Sequence, residues 1–137
     1  MPPLKPNYAD NTIVNLIQSI YEKFGLSSNL KNTMGLRIFK NNQEQLKDRI
    51  ILIVVDGAGD SFYKRYKEEL GLNDWYLGHI HSVYPSTTAS SITSILTGLT
   101  PLEHGIPGWN TYFKDISSVV NILPFKQRFS YNNNKMK

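Results

Sequence analysis

A run of hydroxyl-bearing residues that follows a proline is the strongest candidate for chemistry in this chain. Residues 83–91 read VYPSTTASS, so a turn at Pro85 delivers Ser86, Thr87 and Thr88 to the predicted start of a helix. Backbone N–H groups at a helix start have no intrahelical partner, and the helix dipole makes this end electropositive. Such an end can bind a phosphate and carry a nucleophilic hydroxyl, or its hydroxyls can simply cap the helix.

Asp56 is the second candidate, because it directly follows an aliphatic run, IILIVV, at residues 50–55. An unbroken run of this kind predicts a strand that is buried on both faces of a parallel sheet. A carboxylate at the end of such a strand lies at the sheet edge where open α/β folds bind ligands. Two interpretations of Asp56 stay open, a helix N-cap and a ligand of a metal ion.

Together these residues suggest half of a phosphoryl-transfer site. Thr87 and Thr88 also follow a predicted strand, at residues 79–84, and would lie on the same sheet edge as Asp56. A threonine hydroxyl is a poor nucleophile at neutral pH and needs a base or a bound metal to activate it. His79 and His81 share one side of that strand, but with no third ligand nearby a structural or surface role is favoured over metal binding.

The elements that must position these residues alternate between helix and strand. We expect a helix over residues 12–24, capped by Asp10 or Asn11, and further helices over 61–70 and 88–96. Strands are predicted at 35–39, 50–55, 79–84 and 118–124. The apolar residues predicted to face the core are Ile13, Leu16, Ile17, Ile20, Tyr21 and Phe24 in the first helix, and Ile92, Ile95 and Leu96 in the last. This alternation predicts one α/β domain, a three-layer α/β/α fold with a mostly parallel sheet, and a disordered tail over 126–137.

Composition excludes several classes of function. The chain has 137 residues, 40% hydrophobic and 19% charged, as in ordinary globular domains. Its net charge of +4 comes from scattered basic residues without a recognition motif, which argues against nucleic-acid binding. The absence of cysteine excludes disulfides and cysteine-based metal sites. No apolar run approaches the roughly 20 residues of a membrane helix, and no signal peptide is evident, so we expect a cytoplasmic protein.

Three blocks of sequence resemble the alkaline phosphatase superfamily, and more closely its type I phosphodiesterase/nucleotide pyrophosphatase branch. They are residues 54–57 (VVDG), 83–88 (VYPSTT) and 97–106 (TGLTPLEHGI). The last block is similar to the family signature T-G-L-x-P-x-x-H-G. The blocks occur in the family's order, and the resemblance covers roughly residues 50–125.

The resemblance implies a role for each matching residue. Thr88 would be the nucleophile that forms a covalent phospho- or nucleotidyl-threonine, and it would also touch a metal. Asp56 would be a metal ligand, and Asn110 would bind a phosphoryl oxygen of a phosphodiester or nucleotide substrate. His104 would be structural. The complete family site holds two divalent metal ions, usually zinc.

The sequence departs from the family pattern after Asn110, where Asp115 is the only carboxylate and histidine is absent. The second metal site of the family needs further Asp and His residues, so at most one partial site is expected here. We therefore expect an N-terminal fragment of the catalytic domain that is inactive alone and associates through an exposed sheet edge. The alternatives are another hydrolase or a phosphomutase of the superfamily, or an inactive remnant that serves as a binding domain.

Overall fold

The computed structural model describes residues 5–26 and 49–129, which divide into two units, Met1–Ser82 and Val83–Lys137. Within these residues the chain is a mixed α/β protein with four α-helices and one three-stranded antiparallel sheet. The strand predicted at 35–39 lies outside them. The described elements therefore agree with the mixed class, but they do not include the predicted parallel sheet.

Helix α1 (Ile13–Lys23) confirms the first predicted helix, although its cap and its buried face differ from the prediction. Thr12 is the N-cap: its hydroxyl accepts from Asn15 N–H, and Asn15 Oδ1 accepts from Thr12 N–H at 2.9 Å. Phe24, predicted to face the core, is 47% exposed. The buried residues are Val14, Asn15, Ile17, Gln18 and Ser19. Polar side chains can be buried here because they are hydrogen-bonded, as Asn15 Nδ2 is to Tyr8 O at 3.0 Å.

The aliphatic run at residues 50–55 forms neither a helix nor a strand, and the prediction of a buried strand is wrong here. Ile51, Ile53 and Val55 are 87%, 78% and 64% exposed. A strand that is buried on both faces needs hydrogen-bonded neighbours on both sides. Among the described residues, no strand pairs with this run.

Because this run is apolar and exposed, we expect the chain to self-associate through it. Replacing Ile53 by lysine should shift the protein towards monomer in size-exclusion chromatography with light scattering. Leu102→Lys is the matched control, because Leu102 is 93% exposed but lies in the other unit. A wild-type chain that stays monomeric at high concentration would contradict this prediction.

The other described elements of the first unit are a solvated helix, a 3-10 turn at Asn73–Trp75 and an isolated bridge. Helix α2 (Asp60–Tyr66) begins after Gly59 and buries none of its residues, and Lys64 pairs with Asp60 at 2.6 Å. The strand predicted at 79–84 is reduced to a parallel bridge between Thr12 and His81. This bridge joins the start of α1 to the end of the unit.

Two helices begin the second unit. Helix α3 (Thr88–Thr97) confirms the predicted helix and ends at Gly98, whose φ of 69° is left-handed. Helix α4 (Pro101–His104) follows, in a segment that none of the predicted helices covers. On α3 the buried residues are Ala89, Ser90 and Ser94, whereas Leu96 is 75% exposed. The core-facing side of α3 is thus its small and polar side, and the prediction of an inward Leu96 is wrong.

The sheet lies at the end of the second unit and consists of β1 (Asn110–Phe113), β2 (Ser118–Asn121) and β3 (Lys126–Gln127). Its strands are antiparallel in the order β1-β2-β3, and Asn110 is opposite Asn121. The strand predicted at 118–124 is present over its first four residues. The disordered tail is predicted to begin at 126, where the structure has β3, and residues 130–137 lie outside the described part. No helix in the described residues is long and apolar enough to cross a membrane.

Candidate functional site

The two adjacent threonines at the start of α3 occupy different positions. Thr87 is the N-cap, with extended backbone at φ −110° and ψ 152°, and its Oγ1 accepts from Ser90 N–H at 3.3 Å. The Thr87 hydroxyl also donates to Ser90 Oγ at 3.1 Å. Thr88 is the first residue of the helix, and its side chain is exposed. The cap therefore engages the Thr87 hydroxyl and presents Thr88 at the surface.

The local environment of Thr88 suits an anion. The first backbone N–H groups of a helix have no partner within the helix and point out of its N-terminal end. The helix dipole adds positive potential there. The first turn of α3 carries no acidic residue that would oppose this potential. A phosphoryl group placed against this turn would be stabilised electrostatically.

Two buried serines fasten α3 to the loop after α4. Ser90 Oγ donates to Ile106 O at 2.8 Å, and Ser94 Oγ lies 3.0 Å from His104 Nε2. Ile106 N–H donates to His104 Nδ1 at 3.0 Å. Desolvation by burial lowers the pKa of His104. Sequence reasoning missed Ser90 and Ser94 as contacts, although their spacing of four residues on one helix face was a usable signal.

Helix α4 sets the position of His104. Thr100 and Glu103 form a capping box, in which Glu103 Oε2 accepts from Thr100 N–H at 2.8 Å, and Pro101 occupies the first turn. Gly105 ends the helix with a φ of 70°, a conformation that glycine adopts without strain. The sequence between Thr100 and Gly105 thus fixes a single helical turn and turns the chain back beside α3.

Asn110 lies in the same unit as Thr88, at the start of β1, and its side chain is exposed. The loop before it approaches the start of α3, since a Cβ added to Gly108 would lie 4.0 Å from Thr87 Cγ2. Across the ladder from Asn110, Asn121 Oδ1 is buried, and no donor among the described residues reaches it. The loop that leads into the strand with Asn110 therefore passes beside the helix start that carries Thr88.

Asp56 belongs to the first unit. It lies in a turn with Gly57, whose φ is 80°, and its side chain is exposed. The N-cap of the helix that follows is Gly59. The alternative that Asp56 caps this helix is therefore wrong.

The residues that the structure describes do not by themselves fit a zinc centre. No group of three or more His, Cys, Asp or Glu side chains gathers within residues 5–26 and 49–129. Zinc sites take three or four protein ligands in tetrahedral geometry. The rings of His79 and His81 lie 6.0 Å apart, edge to face, and the described part of the chain places no third ligand beside them. Asp56 offers one suitable donor, and a complete site would need ligands beyond these.

Comparison with known proteins gives one family. The profile described as "Type I phosphodiesterase / nucleotide pyrophosphatase" matches residues 50–127, more than half of the chain. The matched segment includes Asp56, Thr88 and Asn110. Searches of curated proteins and of solved structures gave no significant match.

Proposed function

This chain belongs to the type I phosphodiesterase/nucleotide pyrophosphatase family, and we propose that it carries part of a hydrolase site for phosphodiester or pyrophosphate bonds. The observation that carries the proposal is that the two adjacent threonines at the start of α3 occupy different positions. Thr87 caps the helix, while Thr88 is exposed at its first position. Thr88 is therefore the hydroxyl best placed to attack a phosphorus atom held at this end.

The proposed reaction has two balanced steps. In the first, Thr88 Oγ forms a bond to phosphorus, its proton passes to solvent, and the bond to the leaving alcohol or phosphate breaks. In the second, water attacks the same phosphorus and the bond to Thr88 Oγ breaks. This releases a phosphate monoester and restores the threonine hydroxyl. The N-terminal dipole of α3 stabilises the negative charge on the phosphoryl oxygens in both steps.

Asn110 is proposed to bind a phosphoryl oxygen. Its exposed amide can donate a hydrogen bond, and the antiparallel ladder with β2 fixes its backbone. The preceding loop packs beside Thr87, next to the proposed nucleophile. These contacts support a substrate-binding role for Asn110 within the same unit.

Metal dependence is proposed from the family and from the chemistry of the donors. Asp56 and Thr88 are each proposed as an oxygen donor to a divalent ion, one of the two that the family holds, for which zinc is the first choice. When bound, such ions polarise phosphoryl oxygens and lower the pKa of a coordinated hydroxyl. The proposed setting is a three-layer α/β/α domain with a mostly parallel sheet.

A second candidate function follows from the absence of a three-ligand group among the described residues. On this hypothesis the chain alone binds substrate but does not turn it over. We propose that both hypotheses apply in part, so that the isolated chain transfers a nucleotidyl group to Thr88 slowly and hydrolyses the adduct negligibly.

The test is to incubate the 137-residue chain with excess zinc and a nitrophenyl nucleotide diester. We expect release of about one equivalent of nitrophenolate per chain, and a nucleotidyl adduct that peptide mass spectrometry maps to Thr88. An adduct on another hydroxyl, or none, would contradict the assignment of Thr88. Sustained turnover would show that the chain is a complete enzyme and would refute the second hypothesis.

A further inference from the structure

A continuous set of hydrogen bonds joins the start of α3 to the loop after α4. Its members are Thr87, Ser90, Ser94 and His104, together with the backbone of Ile106, and we call it the serine–histidine clamp. Thr87 Oγ1 donates to Ser90 Oγ, which donates to Ile106 O at 2.8 Å. Ile106 N–H donates to His104 Nδ1 at 3.0 Å, and His104 Nε2 lies 3.0 Å from Ser94 Oγ. Both serines are fully buried, so solvent does not compete for their hydroxyls.

These contacts determine where the imidazole of His104 carries its proton. Nδ1 accepts from the N–H of Ile106 and therefore bears no hydrogen. In the neutral ring the hydrogen is then on Nε2, which donates to Ser94 Oγ. The arrangement is satisfied by one tautomer of neutral histidine, and the charged ring would place two N–H donors against each other at Ile106.

The surroundings of His104 favour the neutral ring. Burial lowers its pKa from the usual value for histidine, against smaller opposing effects of backbone hydrogen bonds with Ser90 and with His104 itself and of the charge on Glu103. The sequence of α3, TASSITSILT, contributes no charged side chain, and residues 105–108 contribute none either. Among the described residues, Glu103 is the one charged group on the elements packed against His104, and its carboxylate accepts hydrogen bonds from Thr100.

We propose that the serine–histidine clamp positions the first turn of α3 for phosphoryl transfer, and that His104 is a positioning residue that acts in its neutral Nε2–H form. This inference rests on the proposed function only for the reaction at Thr88, because the hydrogen bonds of the clamp are a property of the fold. It assigns the histidine of the T-G-L-x-P-x-x-H-G block to the orientation of the helix start that presents Thr88, with no contact to substrate or metal.

The clamp predicts a defined response to pH. Because the pKa of His104 is lowered in the folded chain, the unfolded chain binds the proton first as pH falls. The contribution of neutral His104 to the stability of the fold is fully present above the pKa of about 6.5 that histidine has in the unfolded chain. It is lost as pH falls through the lower pKa of His104 in the folded chain. Protonation of His104 breaks the hydrogen bond from Ile106 N–H. Because Ile106 O accepts from Ser90 Oγ, which in turn accepts from the Thr87 hydroxyl, the change also loosens the cap at Thr87.

Nuclear magnetic resonance of the isotope-labelled 137-residue chain tests the proposal between about pH 8 and pH 4. We expect the ring nitrogens of His104 to show the Nε2–H tautomer at high pH. The amide signals of Ile106 and Thr88 should titrate together with the ring, and the protection of Ile106 against hydrogen exchange should fall about tenfold, as for one lost hydrogen bond.

Two variants separate positioning from simple structural support. In His104→Asn the side-chain oxygen can still accept from the N–H two residues later but does not titrate, so the shift at Thr88 should disappear while the fold is kept. His79→Asn, in the other unit, should keep the wild-type profile. An Nδ1–H tautomer, a Thr88 signal that ignores His104, or an unchanged profile in His104→Asn would each overturn the proposal. Failure to form the adduct at Thr88 with these signals intact would instead count against the proposed function.

Discussion

Replacement of Thr88 by valine is expected to abolish transfer of the nucleotidyl group to the chain, with a loss of rate of about 10³-fold or more. Valine has the shape of threonine and fits the first helical position, so the change removes the nucleophilic oxygen and keeps the shape of the side chain. Thr87 cannot take over, because its hydroxyl caps the Ser90 N–H and donates to Ser90 Oγ. The measurement is the rate of adduct formation, followed by intact mass, with zinc and diester as above.

The matched control for this variant is Thr93→Val on the same helix, where the hydroxyl donates to Ala89 O at 2.8 Å. It should react at the wild-type rate, since Thr93 lies more than one turn from the helix start. Thr88→Ser keeps the hydroxyl and should retain most of the rate. Equal reactivity of Thr88→Val and the wild-type chain would show that another group is modified.

The sequence predicted the local structure of the site better than its packing. A proline, a hydroxyl cap and a terminal glycine are short-range signals, and they predicted α3 within one residue at its end. Periodicity failed on the same helix, because Ser90 and Ser94 are buried through hydrogen bonds while Leu96 is exposed. A hydrophobicity pattern does not register a buried serine whose partners lie in another element.

Long-range structure was harder to predict for a related reason. The aliphatic run at 50–55 is a strand signal only where neighbouring strands complete its hydrogen bonds, and in the described residues it is exposed. The β1–β2 hairpin depends on the turn at 114–117, which brings Phe113 opposite Ser118. The roles of Thr88, Asp56 and Asn110, the cytoplasmic location, and the view of the chain as a fragment of a larger domain stay predictions.

Replacement of Ser90 by alanine is expected to lower the free energy of unfolding of the second unit by about 1–3 kcal/mol. Ser90 is fully buried and makes three hydrogen bonds, to the Thr87 hydroxyl through its own Oγ and N–H and to Ile106 O. Alanine deprives the Thr87 hydroxyl of an acceptor and Ile106 O of a donor. A buried polar group that loses its partner costs more than the lost bond itself, because water cannot replace that partner.

The unfolding of the second unit can be followed separately because Trp109 belongs to it. In a Trp75→Phe background, the tryptophan fluorescence during a urea titration reports on that unit alone. Ser86→Ala is the control: Ser86 is exposed, and its replacement should change stability by no more than about 0.5 kcal/mol. If Ser90→Ala proved as mild as Ser86→Ala, the buried hydroxyl would not hold α3 to Ile106. In the His104→Asn background, the loss of stability caused by Ser90→Ala should be smaller than in the wild-type background. The reduction should be the same at low and at high pH, because without the titrating ring the coupling between Ser90 and position 104 does not depend on protonation.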